Sequence, residues 1–90
     1  MFTVAYHYLV VSRDIPRIPK KWKEKIRRAI EERLVVHPDI YGKPLRRSLK
    51  GYRKFRVGDY RIIFKIEKSA LKVLLIWHRS AVYKEVEKRI

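Results

Sequence analysis

The 90 residues are enough for one small domain, and a hydrophobic content of 47% supports one buried core and excludes a disordered polycation. The 24 Lys and Arg residues against 9 Asp and Glu residues give a net charge of +15, which opposes the compact state and points to an anionic partner, either nucleic acid or an acidic protein. The lack of cysteine excludes disulfides and thiolate metal sites. No apolar run approaches the roughly 20 residues that span a bilayer, and no signal peptide is recognisable, so we expect a cytoplasmic protein.

The first half of the chain predicts one strand and two helices. Phe2 to Tyr8 is β-branched and aromatic, which is typical of a strand. A short helix is expected from Leu9 to Ile15, stopped at Pro16. A long helix begins at Pro19 and ends before His37-Pro38. Its apolar positions recur at helical spacing and predict one buried stripe: Trp22, Ile26, Ala29, Ile30 and Leu34.

The second half predicts a three-stranded meander and a last helix. A connector covers Asp39 to Lys50. Gly51 to Ile66 forms two strands joined by a tight turn at Gly58-Asp59, and Leu71 to Trp77 forms the third. A final helix starts near Ser80, a suitable N-cap. The pattern predicts one α+β domain over residues 1–90, an antiparallel sheet with two N-terminal helices packed on one face, a short C-terminal helix, and the other face left open.

Strand side chains alternate between the two faces of a sheet, so the pattern separates a core face from a basic face. On the first two meander strands, apolar side chains such as Phe55 and Ile62 share the core face. In the third strand, alternation places Val73, Leu75 and Trp77 on one face and Leu74, Ile76 and His78 on the other. Like charges on neighbouring strands are destabilising, so an anion is expected at the cations of the basic face: Lys54, Arg56, Arg61 and Lys65.

The end of the third strand brings a histidine towards this basic face. In a meander that end lies near a neighbouring strand end, so His78 could approach Arg56 or Arg61. An aromatic side chain, Tyr83, follows on the last helix and could stack a base. The candidate catalytic set is therefore Lys54, Arg56, Arg61, His78 and Tyr83.

Such a set could cleave RNA by attack of the 2′-hydroxyl on the adjacent phosphorus. Arg61 would grip the phosphate through its planar guanidinium. Histidine titrates near neutral pH, so His78 could donate or accept a proton. Lys54 could take the 2′ proton, because neighbouring cations disfavour its charged form. The histidines lack metal-ligand spacing and there is no Gly-rich phosphate loop, so we expect neither a metal nor a cofactor.

Four stretches resemble the RelE/ParE superfamily of toxins from type II toxin–antitoxin pairs, in particular the RelE-like mRNA interferases. They are the helix after the Ile18-Pro19 step, the segment Gly42-Lys-Pro-Leu45 with the arginines after it, Gly51 to Ile66, and His78 to Tyr83. The last two stretches are the specific ones, because an amphipathic basic helix occurs in many proteins.

The resemblance implies a toxin that cuts messenger RNA in the ribosomal A site and is silenced by an acidic, RelB-like antitoxin. It assigns Arg61 to the scissile phosphate, His78 to acid or base chemistry and Tyr83 to base stacking, with Lys54 and Arg56 as the basic positions of their strand. Arg46 and Arg79 fall in basic motifs of the family. The expected RNA-binding residues are Arg46, Arg47, Lys50, Lys65 and Arg79.

Two other functions stay open at the level of sequence. The superfamily also contains toxins that bind DNA gyrase and have no nuclease activity, and these tend to lack the paired His and Tyr that His78 and Tyr83 provide here. A basic RNA-binding or ribosome-associated module without catalysis would need the charged surface alone. Arg and Lys on a strand are also commonly no more than a solvated surface.

Overall fold

The computed structural model describes residues 2–90, which form a five-stranded sheet with helices on both faces. The strands are β1 (Thr3–Tyr6), β2 (Lys43–Pro44), β3 (Arg53–Val57), β4 (Tyr60–Glu67) and β5 (Ala70–His78). Helix α1 covers residues 8–17 and contains a π-helical turn, Val10–Asp14. Helix α2 (Lys20–Ala29) continues into a second π-helical turn, Ile30–Leu34. The remaining helices are α3 (Pro38–Tyr41), a 3-10 turn (Arg47–Leu49) and α4 (Val82–Arg89). No helix of this part of the chain is long and apolar enough to cross a membrane.

The strands lie in the order β1-β5-β4-β3-β2, and the sheet is mixed. The predicted antiparallel pairing is confirmed for the meander, including the two-residue turn at Gly58-Asp59. It is wrong for β1, which pairs with β5 in parallel from Thr3 opposite Ala70 to Tyr6 opposite Val73. Parallel strands need a long crossover, and here the chain returns to β5 only after all the intervening elements. Strand β5 is therefore an interior strand, paired with β1 on one side and β4 on the other.

The main core lies between α2 and one face of the sheet. The predicted helix stripe is confirmed, since Ile26, Ala29 and Leu34 are buried. From the sheet, Phe55 and Phe64 pack into the same cluster. Phe64 is fully buried, and truncating a side chain of this kind costs about 3–5 kcal/mol.

The second face of the sheet was predicted to be open, but it is open over only part of its length. Helix α4 packs across it, and Val82 and Val86 form a smaller buried cluster with Ile63 and Leu75. Helix α4 packs there because its apolar side chains recur every four residues and form a stripe that needs an apolar surface to cover it. The part of this face that stays uncovered lies over β3 and the start of β4.

Two predicted helix boundaries are wrong. Helix α1 does not stop at Pro16 but runs to Arg17. In the wide π-helical turn before it, the N–H of Ile15 bonds the carbonyl of Val10, a geometry that differs from the α-helical bonding that proline disrupts. Ser80 is not the N-cap of α4, which begins at Val82, because the Ser80 hydroxyl lies 2.9 Å from His78 Nδ1 instead. The predicted connector also contains α3 and β2.

One β-bulge changes which side chains share a face at the end of β5. Phe64 pairs with Val73, but Ile63 pairs with Leu75, so Leu74 is an extra residue in β5. Val73 therefore joins the main core while Leu75 and Trp77 belong to the cluster under α4. The predicted common face of Val73, Leu75 and Trp77 is wrong, because the extra residue reverses the alternation beyond it.

A buried ion pair fastens the end of α4 to α1 and β5. The Arg89 guanidinium donates to Asp14 Oδ2 and Oδ1 at 2.6 and 3.0 Å, and both side chains are almost fully buried, at 1% and 0% exposed. Arg89 also donates to the Leu74 carbonyl at 3.2 Å, and Asp14 accepts from the Ile76 N–H at 3.1 Å. These bonds satisfy the β5 edge beyond the end of β1, where the strand has no ladder partner. Burial alone would lower the pKa of Arg89, but the hydrogen bonds and charges of Asp14 and Glu85 together raise it.

Candidate functional site

A cationic cleft of about 190 Å³ opens on the uncovered part of the sheet. Lys54 and Arg56 come from β3 and Arg61 from β4, so three of the four cations predicted for the basic face lie together. The fourth, Lys65, does not line the cleft. Lys43 of β2 lies directly opposite Lys54, and Arg56 lies directly opposite Arg61. The register of two hairpins thus gathers four cations around one cavity.

No carboxylate lines this cleft. Among residues 2–90, the ion pairs all lie elsewhere: on the surface of α2, at the end of α4, and at the sheet turns. On α2, for example, Arg27 is held by Glu24 and Glu31. Four cations that lack a counter-charge within the described chain repel one another, and a bound anion would lower this repulsion.

The Arg61 side chain is held in place by the turn that precedes it. Its Nη1 donates to the carbonyls of Gly58 and Tyr60 at 2.9 and 3.0 Å. These two bonds use one nitrogen of the guanidinium, which leaves its other N–H groups available to an anion. A guanidinium fixed in this way binds a phosphate with less loss of side-chain freedom than a mobile one.

The structure brings Tyr83 to Lys54, although 29 positions separate them in the sequence. Lys54 Nζ donates to Tyr83 Oη at 2.9 Å. Helix α4 positions the tyrosine, because Val82 beside it is buried against the sheet and Tyr83 is left partly exposed. A hydrogen-bonded amine and phenol at the edge of a cationic cleft can take up and donate protons.

His78 lies on the opposite face of the sheet from the cleft. It pairs with Tyr60, whose side chain packs against the main core, and the two rings meet edge to face at 5.7 Å. The Nδ1 atom of His78 accepts from the Ser80 N–H at 3.2 Å. The expected approach of His78 to Arg61 or Arg56 does not occur, since the bulge at Leu74 turns Trp77 instead of His78 towards the face of Arg61.

The five expected RNA-binding residues fall into three places. Arg46, Arg47 and Lys50 are exposed in and beside the 3-10 turn. Lys65 bonds Glu67 at 2.9 Å, which raises the pKa of the lysine and neutralises its charge locally. Arg79 lies 3.7 Å from Asp59 at the turn between β3 and β4.

Two residues of the cleft are absent from the predicted site. They are Tyr41 and Lys43, which lie in the predicted connector from Asp39 to Lys50. Neither residue was predicted for the site, because α3 and β2 are too short to show a periodic pattern in the sequence. The one available signal was the apolar pair Ile40-Tyr41, which Gly42 separates from the basic Lys43. Elsewhere, the described residues contain no group of three or more His, Asp or Glu side chains that could hold a metal ion.

The fold is that of the RelE-like toxins. The isolated RelE toxin of E. coli has the same fold, with a TM-score of 0.72 at 19% identity, covering 99% of this chain and 98% of that chain. A chain of the toxin–antitoxin complex RelBE2 from Mycobacterium tuberculosis is similar with a TM-score of 0.80 at 29% identity, covering 87% of this chain and 98% of that one.

The sequence comparisons give the family. Toxin RelE of Mycobacterium tuberculosis is 32% identical over 84 residues, which are 88% of this chain and 87% of that protein. Residues 4–83 match the sequence profile described as the ParE toxin of type II toxin-antitoxin system, parDE. The chain therefore belongs to the ParE toxin family of type II toxin–antitoxin systems and is RelE-like in sequence and structure. The resemblance read from the sequence is confirmed.

Proposed function

We propose that this protein is a cytoplasmic endoribonuclease that cleaves messenger RNA in the ribosomal A site and so inhibits translation. The observation that carries the proposal is the cleft of four cations without a carboxylate, with the Tyr83 hydroxyl bonded to Lys54 at its edge. A surface of this kind suits a phosphate with negative charge developing on its oxygens.

The proposed reaction needs no group beyond the chain and its RNA. The 2′-oxygen forms a bond to phosphorus, and the bond from phosphorus to the 5′-oxygen breaks. The products carry a 2′,3′-cyclic phosphate and a 5′-hydroxyl. One proton leaves the 2′-hydroxyl and one is delivered to the departing oxygen. Arg56 and Arg61 hold the non-bridging oxygens, where negative charge builds up.

Proton transfer is assigned to Lys54 and Tyr83 because they are bonded to one another at the cleft. Lys54 takes the 2′ proton in its neutral form, and Tyr83 donates its phenolic proton to the departing oxygen. His78 lies on the other face of the sheet, so the proposal gives it no contact with the reacting phosphate. Arg46, Arg47, Lys50, Lys65 and Arg79 are proposed as flanking RNA contacts.

Primer extension on a translated message tests the proposal. The parent protein is expected to give ribosome-dependent cuts, and Arg61→Ala and Lys54→Ala should reduce the cleavage rate by about 10²–10³-fold. His78→Ala should cut within a few-fold of the parent. Lys20→Ala, an exposed cation at the start of α2, is the matched control and should cut at the parent rate. A folded parent that makes no ribosome-dependent cuts would overturn the proposal.

A second candidate function is favoured by the family profile, which carries the ParE name. A gyrase-binding toxin needs the fold and the basic surface but no proton-transfer pair. If Lys54→Ala and Tyr83→Phe stay fully toxic in cells and no message is cut, this alternative replaces the nuclease.

The proposed partner is an acidic antitoxin. Solved relatives include RelB–RelE complexes from Methanococcus jannaschii and Pyrococcus horikoshii, and the RelBE2 complex is a toxin–antitoxin pair. A net charge of +15 would steer an acidic partner to this chain, with association slowing as salt is raised.

A further inference from the structure

Tyr41 lies beside the part of the β3 edge that pairs with no strand. Strand β2 covers only Arg53 and Lys54 of β3, so the edge of β3 from Phe55 onwards has no ladder partner on that side. Tyr41 ends α3 there, and its ring meets that of Phe55 at 6.1 Å with the planes inclined by 66°. Phe55 is buried, whereas Tyr41 is 39% exposed. One side of the ring is therefore anchored and the rest faces solvent.

The same ring lines the cationic cleft. Tyr41 borders the cavity together with Lys43, Lys54, Arg56 and Arg61. A phosphate bound by these cations would place a neighbouring nucleotide beside the tyrosine. An aromatic ring that is held on one side and open on the other is suited to stack an unpaired base, and every base has a face that it can offer.

We infer that Tyr41 and Lys43 form a nucleotide subsite of the cleft, in which Tyr41 stacks one base of a single-stranded RNA and Lys43 contacts its phosphate. The choice of RNA rests on the proposed function, while the stacking and phosphate contacts rest on the geometry. An acidic peptide could also meet the four cations, but it would gain little from an exposed aromatic ring.

Fluorescence anisotropy with a labelled 2′-O-methyl RNA hexanucleotide tests this subsite in the intact protein. The methyl group blocks 2′ attack, so the assay reports binding without cleavage. Tyr41→Leu keeps an apolar cover on Phe55 and removes the ring, and it should weaken binding roughly tenfold. Tyr41→Phe should bind like the parent. Tyr8→Ala, an equally aromatic and more exposed residue of α1, is the matched control and should change nothing.

Salt dependence separates the roles of the two residues. Lys43→Gln should lower the slope of log K against log salt by about 0.7, because one phosphate contact is lost. Tyr41→Leu should leave that slope unchanged. Thermal unfolding of each variant should match the parent closely enough for the protein to be folded at the assay temperature.

The inference and the proposed function fail in different ways. Binding of the probe by folded Tyr41→Leu at parent strength overturns the subsite, even if the parent cuts messages. A parent that does not bind the probe, or a Tyr41→Phe variant as weak as Tyr41→Leu, overturns it as well. Conversely, the expected binding pattern with no ribosome-dependent cuts keeps the subsite and removes the nuclease.

Discussion

Two tight turns of the sheet have nearly the same positive φ at their first loop residue but different residues there. Gly58 has φ +57° and Lys68 has φ +55°, and each is the first residue of a two-residue hairpin loop. A φ of this size alone therefore does not require glycine at position 58. What differs is the neighbour, because a Cβ built on Gly58 would overlap the indole ring of Trp22. The glycine allows α2 to lie close against the turn that also holds Arg61.

Gly58→Ala is expected to lower the free energy of unfolding by about 2 kcal/mol beyond the cost of the positive φ, because the new Cβ displaces the Trp22 indole. Urea unfolding measures this effect. In a Trp22→Ala background the same substitution should cost only the backbone term, about 1 kcal/mol. Equal costs in both backgrounds would show that the indole does not set the requirement.

At the scale of elements, local pattern decided what could be predicted. The faces of β3 and β4 follow from alternation, since each strand has one clearly apolar side, and the stripe of α2 follows from helical spacing. Strand β5 is apolar on both sides from Val73 to Trp77, so nothing in its composition marks Leu74 as an extra residue. Without that bulge, His78 would face the cleft. The parallel pairing of β1 could not be predicted either, because it depends on contacts between distant segments.

The buried ion pair at the end of α4 gives a prediction for that element. Arg89→Met should lower the free energy of unfolding by about 3–5 kcal/mol, because the carboxylate of Asp14 stays buried without its partner. Hydrogen exchange should become faster in the last turn of α4 than in the strands of the sheet. Lys88→Met, its exposed neighbour, should change stability by less than about 0.5 kcal/mol.

A double variant separates the charge from the packing. Asp14→Asn combined with Arg89→Met removes the unpaired charge, while the amide oxygen can still accept from the Ile76 N–H. It should recover part of the lost stability. If Arg89→Met is as stable as Lys88→Met, the ion pair does not hold the helix.

At the scale of the whole molecule, the fold depends on a strand that comes late in the chain. Strand β5 pairs with β4 on one side and β1 on the other, and it contributes Leu71, Val73 and Ile76 to the main core. Helix α4 then covers Ile63 and Leu75 from the second face. Folding therefore needs contacts between the two ends of the sequence, which is a topology of high contact order.

Truncations at two positions should show how far the fold depends on β5 and on α4. A fragment of residues 1–69 lacks β5 and should be unfolded, with no near-ultraviolet circular dichroism and rapid proteolysis. A fragment of residues 1–81 keeps the sheet and loses α4, so it should fold with lower stability and bind a hydrophobic dye at the exposed Ile63 and Leu75. A protease-resistant 1–69 fragment would contradict the central role of β5.

The late position of β5 and α4 in the chain has a consequence for the order in which the protein can fold during its own synthesis. At about 5–20 residues per second, the ribosome takes roughly 4–14 s to add the first seventy residues. Lys54, Arg56 and Arg61 are added in the second half of that interval. Strand β5, which pairs with β4 in their sheet, is completed only after it. Tyr83 reaches Lys54 later still, once α4 has been made. The contact between Lys54 and Tyr83 at the cleft is thus among the last that the newly made chain can form.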